Sequence, residues 1–226
     1  MAMPLTREQI EELRKITTPT IINAIETFDV QPRNSGFMNP QIRCILPELG
    51  PLVGYAATGK LCANKPAEEK HRGLNHEMWK LILQTPAPRV VVIEDIDNPP
   101  CVGSMWGEVN GTIHKALGCI GVVTNGGVRD LDEVRAMGFH FFATHVIPSH
   151  AYEHLVEIGT PVSVGGLTIK PGDLLHGDQH GVIVIPHEIA GEVAGRAHEV
   201  EESERGIINF FRSSDFNPET FIDAKH

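Results

Sequence analysis

The chain has 226 residues, 41% of them hydrophobic and 21% charged, with a formal net charge of −10. That length buries a core without disulfide or metal staples, and the composition is that of an ordinary globular protein. The acidic balance makes the chain a poor candidate for binding nucleic-acid backbones, which need a basic face, but does not exclude a small anion held by one local arginine.

Four widely spaced cysteines (Cys44, Cys62, Cys101 and Cys119) form no C-x-x-C pair, which predicts free thiols in a reducing compartment. The first thirty residues carry charge and a helical pattern instead of an apolar signal core. The longest aliphatic runs, such as Val90 to Ile93, are too short to span a bilayer. The expectation is one cytoplasmic domain over residues 1–226, with helices at the start and a helical tail.

Thr6 with Gln9 forms a capping box ahead of Ile10, Leu13 and Ile16, predicting a first helix. Thr18 before Pro19 marks a second start, with the proline at the first helical position and Ile21, Ile22 and Ile25 as its apolar face. Residues 30–51, rich in Pro, Gly and Asn, read as a loop. Residues 53–63 read as a strand and 64–73 as a polar surface excursion. Asn75 is placed to cap a helix carrying Met78, Leu81 and Ile82. RVVVIED, residues 89–95, is the clearest buried strand. A helical pattern from Trp106 to Leu117 stops at Gly118. A strand follows at 119–124, then a short helix (Leu131, Val134, Met137) ended by Gly138, then a strand at 139–143. This alternation predicts a parallel sheet. After Pro161 the pattern changes to short β pieces and turns, and residues 187–212 read as a long helix.

The stretch GVVTNGGVRD, Gly121 to Asp130, carries the chemistry. A β-branched strand ends in two glycines that let the backbone turn sharply. The turn delivers Arg129 and Asp130 to the carboxyl edge of a strand, where open α/β sheets hold ligands. Arginine is a planar anion clamp, and aspartate is a hard-metal ligand. If the strands at 89–95 and 119–124 are neighbours, Glu108 at the start of the intervening helix faces the same turn. The free N–H groups there suit a carboxylate. The residues alone leave a plainer reading open: Arg129–Asp130 as a cap with a solvated charge, and Glu108 as an ordinary first-turn carboxylate. His150 and His154, four apart, fit one helical face, but no H-E-x-x-H pattern accompanies them. His176 and His180 flank a hairpin turn, and Trp106 stands either over the pocket or in the core.

The segment from Trp106 to Ala143, together with PGDLLHGDQHGVIVIP (Pro171 to Pro186), resembles the RraA-like family, whose enzymatic branch comprises the 4-hydroxy-4-methyl-2-oxoglutarate aldolases. The resemblance implies an α/β/α sandwich of the swivelling type, with a central mainly parallel sheet and a long C-terminal helix, assembled as a homotrimer or a pair of trimers. It implies pyruvyl contacts from Gly107, Glu108, Val109 and Asn110, largely through backbone N–H groups. It implies a keto-oxygen contact from Arg129 and a divalent metal, Mg²⁺ or Mn²⁺, on Asp130. A glutamate from a neighbouring subunit's terminal helix orients metal-bound water in the family; Glu204 is the best match here, with Glu199, Glu201 and Glu202 competing. The family's ribonuclease-inhibitor branch lacks the glutamate and the aspartate retained here as Glu108 and Asp130. Val109-Asn110-Gly111 departs from the family's Leu-Leu, and Asn23 stands where relatives carry aspartate. The expected activity is cleavage of a 4-hydroxy-2-oxo acid to pyruvate by Arg129 and Glu108, with oxaloacetate decarboxylation alongside. The alternatives are a non-catalytic regulator and a metal-dependent lyase or hydratase acting on a sugar acid.

Overall fold

The computed structural model describes residues 3–223, and the ends of the 1–226 span lie outside them. The elements in chain order are α1 (Arg7–Leu13), α2 (Thr18–Glu26), β1 (Arg43–Cys44), β2 (Leu52–Cys62), α3 (Leu74–Gln84), β3 (Arg89–Asp95), α4 (Glu108–Ala116), β4 (Cys119–Thr124), β5 (Gly127–Val128), α5 (Leu131–Met137) and β6 (His140–Ala143). They continue as β7 (His145–Val146), β8 (His154–Ile158), β9 (Val162–Val164), β10 (Leu167–Ile169), β11 (Leu174–Asp178), β12 (Gly181–Ile185), α6 (Val193–Arg212) and α7 (Pro218–Asp223).

The capping box at Thr6 forms as expected, with Gln9 N–H on the Thr6 hydroxyl and Thr6 N–H on the Gln9 side chain. Two starts move by a residue or two. Thr17, not Thr18, caps α2, and α3 begins after Gly73 in the left-handed region (φ 85°) instead of at Asn75. α4 begins at Glu108 because Trp106 is held extended by a bridge to Val128. The predicted tail helix starts only at Val193.

The expectation of a mainly parallel sheet is only half met. β2, β3, β4 and β6 run parallel, as the strand–helix alternation required. Antiparallel strands extend both sides: β1 on β6, β11 on β2, and β12 on β11. β2 is long enough for its second edge to be shared, with β11 along its first half and β8 along its last. The result is a mixed eight-stranded sheet. Only β11 and β12 are joined by a tight turn; β1, β8 and β11 reach their antiparallel partners over long stretches of chain.

The α/β/α sandwich is corrected as well. Strand alternation sends Val53, Tyr55, Ala57, Val91, Ile93, Val122 and Phe141 to one face, and both helical groups cover it. α1, α2 and α6 pack there through Ile10, Ile21, Ile25 and Val193. α3 and α5 pack there through Met78, Ile82 and Val134. The opposite face curls on itself around Val90, Val92, Val123, Phe142, Leu175 and Val182, and the β9–β10 hairpin covers it through Val162, Val164 and Ile169. The curl is tight. The Phe142 ring on β6 lies 3.1 Å from where a Cβ on Gly177 of β11 would sit, although three strands intervene in sheet order.

All four cysteines are free. Burial pushes Cys119 up to about 12 and Cys44 up to about 11. No helix among the described residues is long and apolar enough to cross a membrane.

His140, buried on β6 and stacked on Phe142, is pushed down to about 4 by burial, with Arg14 adding to the effect. The folded chain holds it neutral where an unfolded histidine (about 6.5) takes a proton, so the unfolded state binds more protons in that window. Its contribution to stability is full above about pH 6.5 and falls by ~3 kcal/mol as pH drops toward 4. His140→Phe is expected to flatten this part of the profile, and urea denaturation at pH 7, 5.5 and 4.5 measures it.

Candidate active site

The site lies at the carboxyl edge of the parallel strands and is built from three extended segments side by side. Trp106 bridges Val128, and Arg129 N–H donates to the Trp106 carbonyl at 2.9 Å. On the other side β5 pairs with β7, and Ile147 N–H donates to the Val128 carbonyl at 2.9 Å. Ser104 fixes the first segment: its hydroxyl donates to the Trp106 carbonyl, and its N–H donates to the Ser149 carbonyl. Trp106 is a core residue, 1% exposed and packed on His114 and Phe139, so it does not stand over the pocket.

These pairings bring residues 22 apart into contact. Asp130, in the left-handed region (φ 56°), precedes α5 and turns its carboxylate to the start of α4. Oδ2 accepts the Glu108 N–H at 2.9 Å. Oδ1 has no hydrogen-bond partner among the described residues. Gly107, the cap of α4, supplies no side chain to the helix end, and Asp130 does so from a distance. The fit requires glycine, because a Cβ at Gly107 would lie 2.3 Å from Asp130 Oδ2 and 3.0 Å from Arg129 Cγ.

Arg129 is about one-third exposed, and its Nε is buried without a hydrogen-bond partner. The nearest carboxylate oxygen, Asp130 Oδ2, is 3.9 Å from it. Only this long ion pair engages the guanidinium, whose terminal nitrogens have no hydrogen-bond partner among the described residues and can receive an incoming anion. Glu108 and Val109 are exposed at the helix start. The Asn110 side chain donates to the Met105 carbonyl at 2.7 Å, which leaves its backbone N–H at the helix end.

The structure therefore brings Gly107, Glu108, Val109, Arg129 and Asp130 to one place, with Asn110 bracing it. It does not bring the four candidate glutamates there from within the same chain. Glu199 pairs with Arg196, Glu201 with His198, and Glu204 accepts from Asn23 at 3.3 Å, all on or beside α6. An aspartate at position 23 would face Glu204 with like charge, so the asparagine suits its partner. His150 and His154 do not share a helix, since His150 is in an exposed loop and His154 opens β8.

Several supporting residues carried no sequence signal strong enough to single them out. Asn125 and the Asp95 backbone exchange two hydrogen bonds, 2.8 and 2.9 Å. The buried Asp95 carboxylate accepts N–H groups from Asp97 and Cys101. Burial pushes its carboxyl up, opposed by those bonds. Cys101 Sγ touches Thr144 Oγ1 at 3.1 Å and the Asn125 carbonyl at 3.5 Å, closing the loop over the glycine turn. Glu153 is half-buried, and burial pushes its carboxyl up against the pull of His150, His154 and Arg129.

The chain matches the RraA-like family (Aldolase/RraA) over residues 18–184. It is 28% identical over 201 residues to an uncharacterized protein of Methanocaldococcus jannaschii, covering 86% of this chain and 90% of that one. It is 32% identical over 183 residues to a protein of Halalkalibacterium halodurans provisionally named 4-hydroxy-4-methyl-2-oxoglutarate aldolase, covering 78% and 76%. Among solved structures, an uncharacterized protein from Pseudomonas syringae superposes with a TM-score of 0.73 at 25% identity, covering 95% and 92%. Streptomyces coelicolor RraAS2, described as an unusual member of the RNase ES inhibitor RraA protein family, superposes at 0.66 with 22% identity, covering 89% and 97%.

Gly107→Ala is expected to break the Glu108–Asp130 hydrogen bond without unfolding the chain, at a cost of about 1–2 kcal/mol. Faster hydrogen exchange at the Glu108 amide, with little change in the far-ultraviolet circular dichroism, is the measurement.

Proposed function

The chain belongs to the RraA-like family, and from that premise we propose that it is a divalent-metal-dependent aldolase. Its substrates are 4-hydroxy-2-oxo acids, cleaved to pyruvate, with oxaloacetate decarboxylation as a companion reaction. The observation that carries the reading is a guanidinium, Arg129, without a hydrogen-bond partner among the described residues, beside an uncommitted Asp130 oxygen at the start of one helix.

The donor set fits a hard cation. Asp130 offers a carboxylate oxygen about one-third exposed. No group of three or more His, Cys, Asp or Glu placed to hold a metal occurs among the described residues. Asp130 would be the residue that holds the ion, a role that Mg²⁺ or Mn²⁺ would accept from a single carboxylate. Bound there, the ion supplies Lewis-acid polarisation of the 2-keto oxygen.

The chain's own residues do the rest. The backbone N–H groups opening α4, at Val109 and Asn110, hold the 1-carboxylate. Arg129 faces the keto oxygen. As the C3–C4 bond breaks, its electron pair becomes the C2–C3 double bond and negative charge gathers on that oxygen. Arg129 is already in place to meet it, an effect of order 3 kcal/mol for one preorganised donor. Glu108 takes the 4-hydroxyl proton through a water, the C4 fragment leaves as a carbonyl compound, and a proton returned to C3 of the enolate completes pyruvate. No lysine Schiff base is needed. A carboxylate from α6 takes part only if a second copy supplies it, consistent with a ring-shaped trimer. The absence of both acidic residues from the family's inhibitor branch favours the enzyme over the regulator.

Arg129→Ala and Asp130→Ala are each expected to lower pyruvate release from 4-hydroxy-4-methyl-2-oxoglutarate by a factor on the order of 10²–10³. EDTA should abolish it and added Mg²⁺ or Mn²⁺ restore it. A coupled assay over a panel of 2-oxo acids checks both. Turnover that persists in metal-free protein overturns the metal-dependent reading, and no turnover with any 2-oxo acid favours the regulator.

A further inference from the structure

A second concave site lies at the other edge of the sheet. From Leu52, which pairs with Gly177, to Leu61, which pairs with Asp95, β2 runs nine residue steps, or ~30 Å. The candidate active site is at the Leu61 end. At the Leu52 end, the turn between β11 and β12 meets the start of α2, and a cavity of about 320 Å³ opens between them.

Its apolar wall is built by backbone pairing. Met38 N–H donates to the Val182 carbonyl and Val184 N–H to the Gly36 carbonyl, both at 2.9 Å. This lays Phe37 along the edge of β12, 45% exposed, opposite Ile22 of α2. Met38 completes that wall.

Arg33, the His180 imidazole and the Glu26 carboxylate line the same space. His180 is oriented by a buried carboxylate: Asp178 Oδ1 accepts both the His180 N–H (2.8 Å) and Nδ1–H (3.0 Å). The other Asp178 oxygen accepts the Thr18 N–H at 3.0 Å. Burial works against the charge on Asp178, but these N–H bonds hold its carboxyl below the usual range. Clamping the turn to α2 needs only Asp178 and Thr18. The His180 ring is not required for that, and its Nε2 is uncommitted. Arg33 meets Glu26 only through Nε, at 3.4 Å, leaving its terminal nitrogens unpaired among the described residues. A guanidinium with free terminal nitrogens and an imidazole held in place by Asp178, beside an apolar wall, match a ligand with one carboxylate and a hydrocarbon body.

We propose that this cavity is a second binding site, separate from the candidate active site, for a small organic acid with an apolar body. The carboxylate pairs with Arg33 beside the His180 ring, and the body lies on Ile22, Phe37 and Met38.

Benzoate is the probe, titrated into the metal-free full-length protein and followed through the His180 ring signals in ¹H–¹⁵N NMR. This readout is independent of turnover, so it stands or falls apart from the aldolase reading. Saturable shifts of the His180 ring are expected, with benzyl alcohol binding at least tenfold more weakly. Arg33→Gln, on an exposed side chain, should weaken benzoate about tenfold. Ile22→Trp should fill the cavity and abolish binding, and Arg129→Ala should leave it unchanged. The proposal is overturned if the His180 ring does not respond, if both cavity variants bind as well as the parent, or if Arg129→Ala removes the response.

Discussion

One carboxylate holds the candidate active site together. Asp130 adopts a left-handed conformation that costs an L-residue about 1–2 kcal/mol. In return its side chain caps a helix that begins 22 residues earlier in the chain. A hydrogen bond to a charged group contributes about 1.5–3 kcal/mol, and the positive end of the helix adds to it, so the strained backbone is retained. Because the starts of α4 and α5 meet at this atom, the position of Arg129 follows, and Gly107 is the only residue type that leaves room for the contact.

Rigidity around this point comes from paired backbone more than from side-chain packing. The segment carrying Arg129 is bonded on both sides, to the Trp106 strand and to the β7 strand. Behind it, Asn125 locks the ends of β3 and β4 together, and Cys101 and Thr144 brace the turn from above. A guanidinium on such a frame loses little freedom when an anion arrives, the condition under which preorganised charge is worth most. Glu153, on the loop before β8, has its carboxyl pushed up by burial and drawn back by His150, His154 and Arg129.

The sheet places chemistry at both of its edges. Parallel strands send their carboxyl ends to one edge, where the Arg129–Asp130 turn sits. The antiparallel β11–β12 hairpin sends its turn to the other, where Asp178 and the buried His176 fasten it to α1 and α2 through Thr18 and Leu13. The same hairpin allows the sheet to curl, because Gly177 leaves space for the Phe142 ring.

Much of this was legible in the residues. The Thr6 capping box, the RVVVIED strand, the Gly118 and Gly138 helix stops and the short β pieces after Pro161 all form where local pattern put them. They depend on backbone propensity and alternation within a few residues, which the linear sequence contains. The grouping of Glu108 with Arg129–Asp130 was legible too, since adjacent parallel strands must end at the same edge. The antiparallel flanks of the sheet, the placement of both helical layers on one face, and β8 were not. Nor was the diversion of the Asn110 side chain to Met105, the Asn125–Asp95 lock, or the Asp178–His180 pair facing a cavity across from Phe37. Each of these requires partners distant in sequence, and alternation marks which residues are buried without saying against what. Local chemistry determined the elements and the reactive residues; only the tertiary structure, by choosing strand partners and closing the curl, decided which oxygens and nitrogens were left unpaired to meet a ligand.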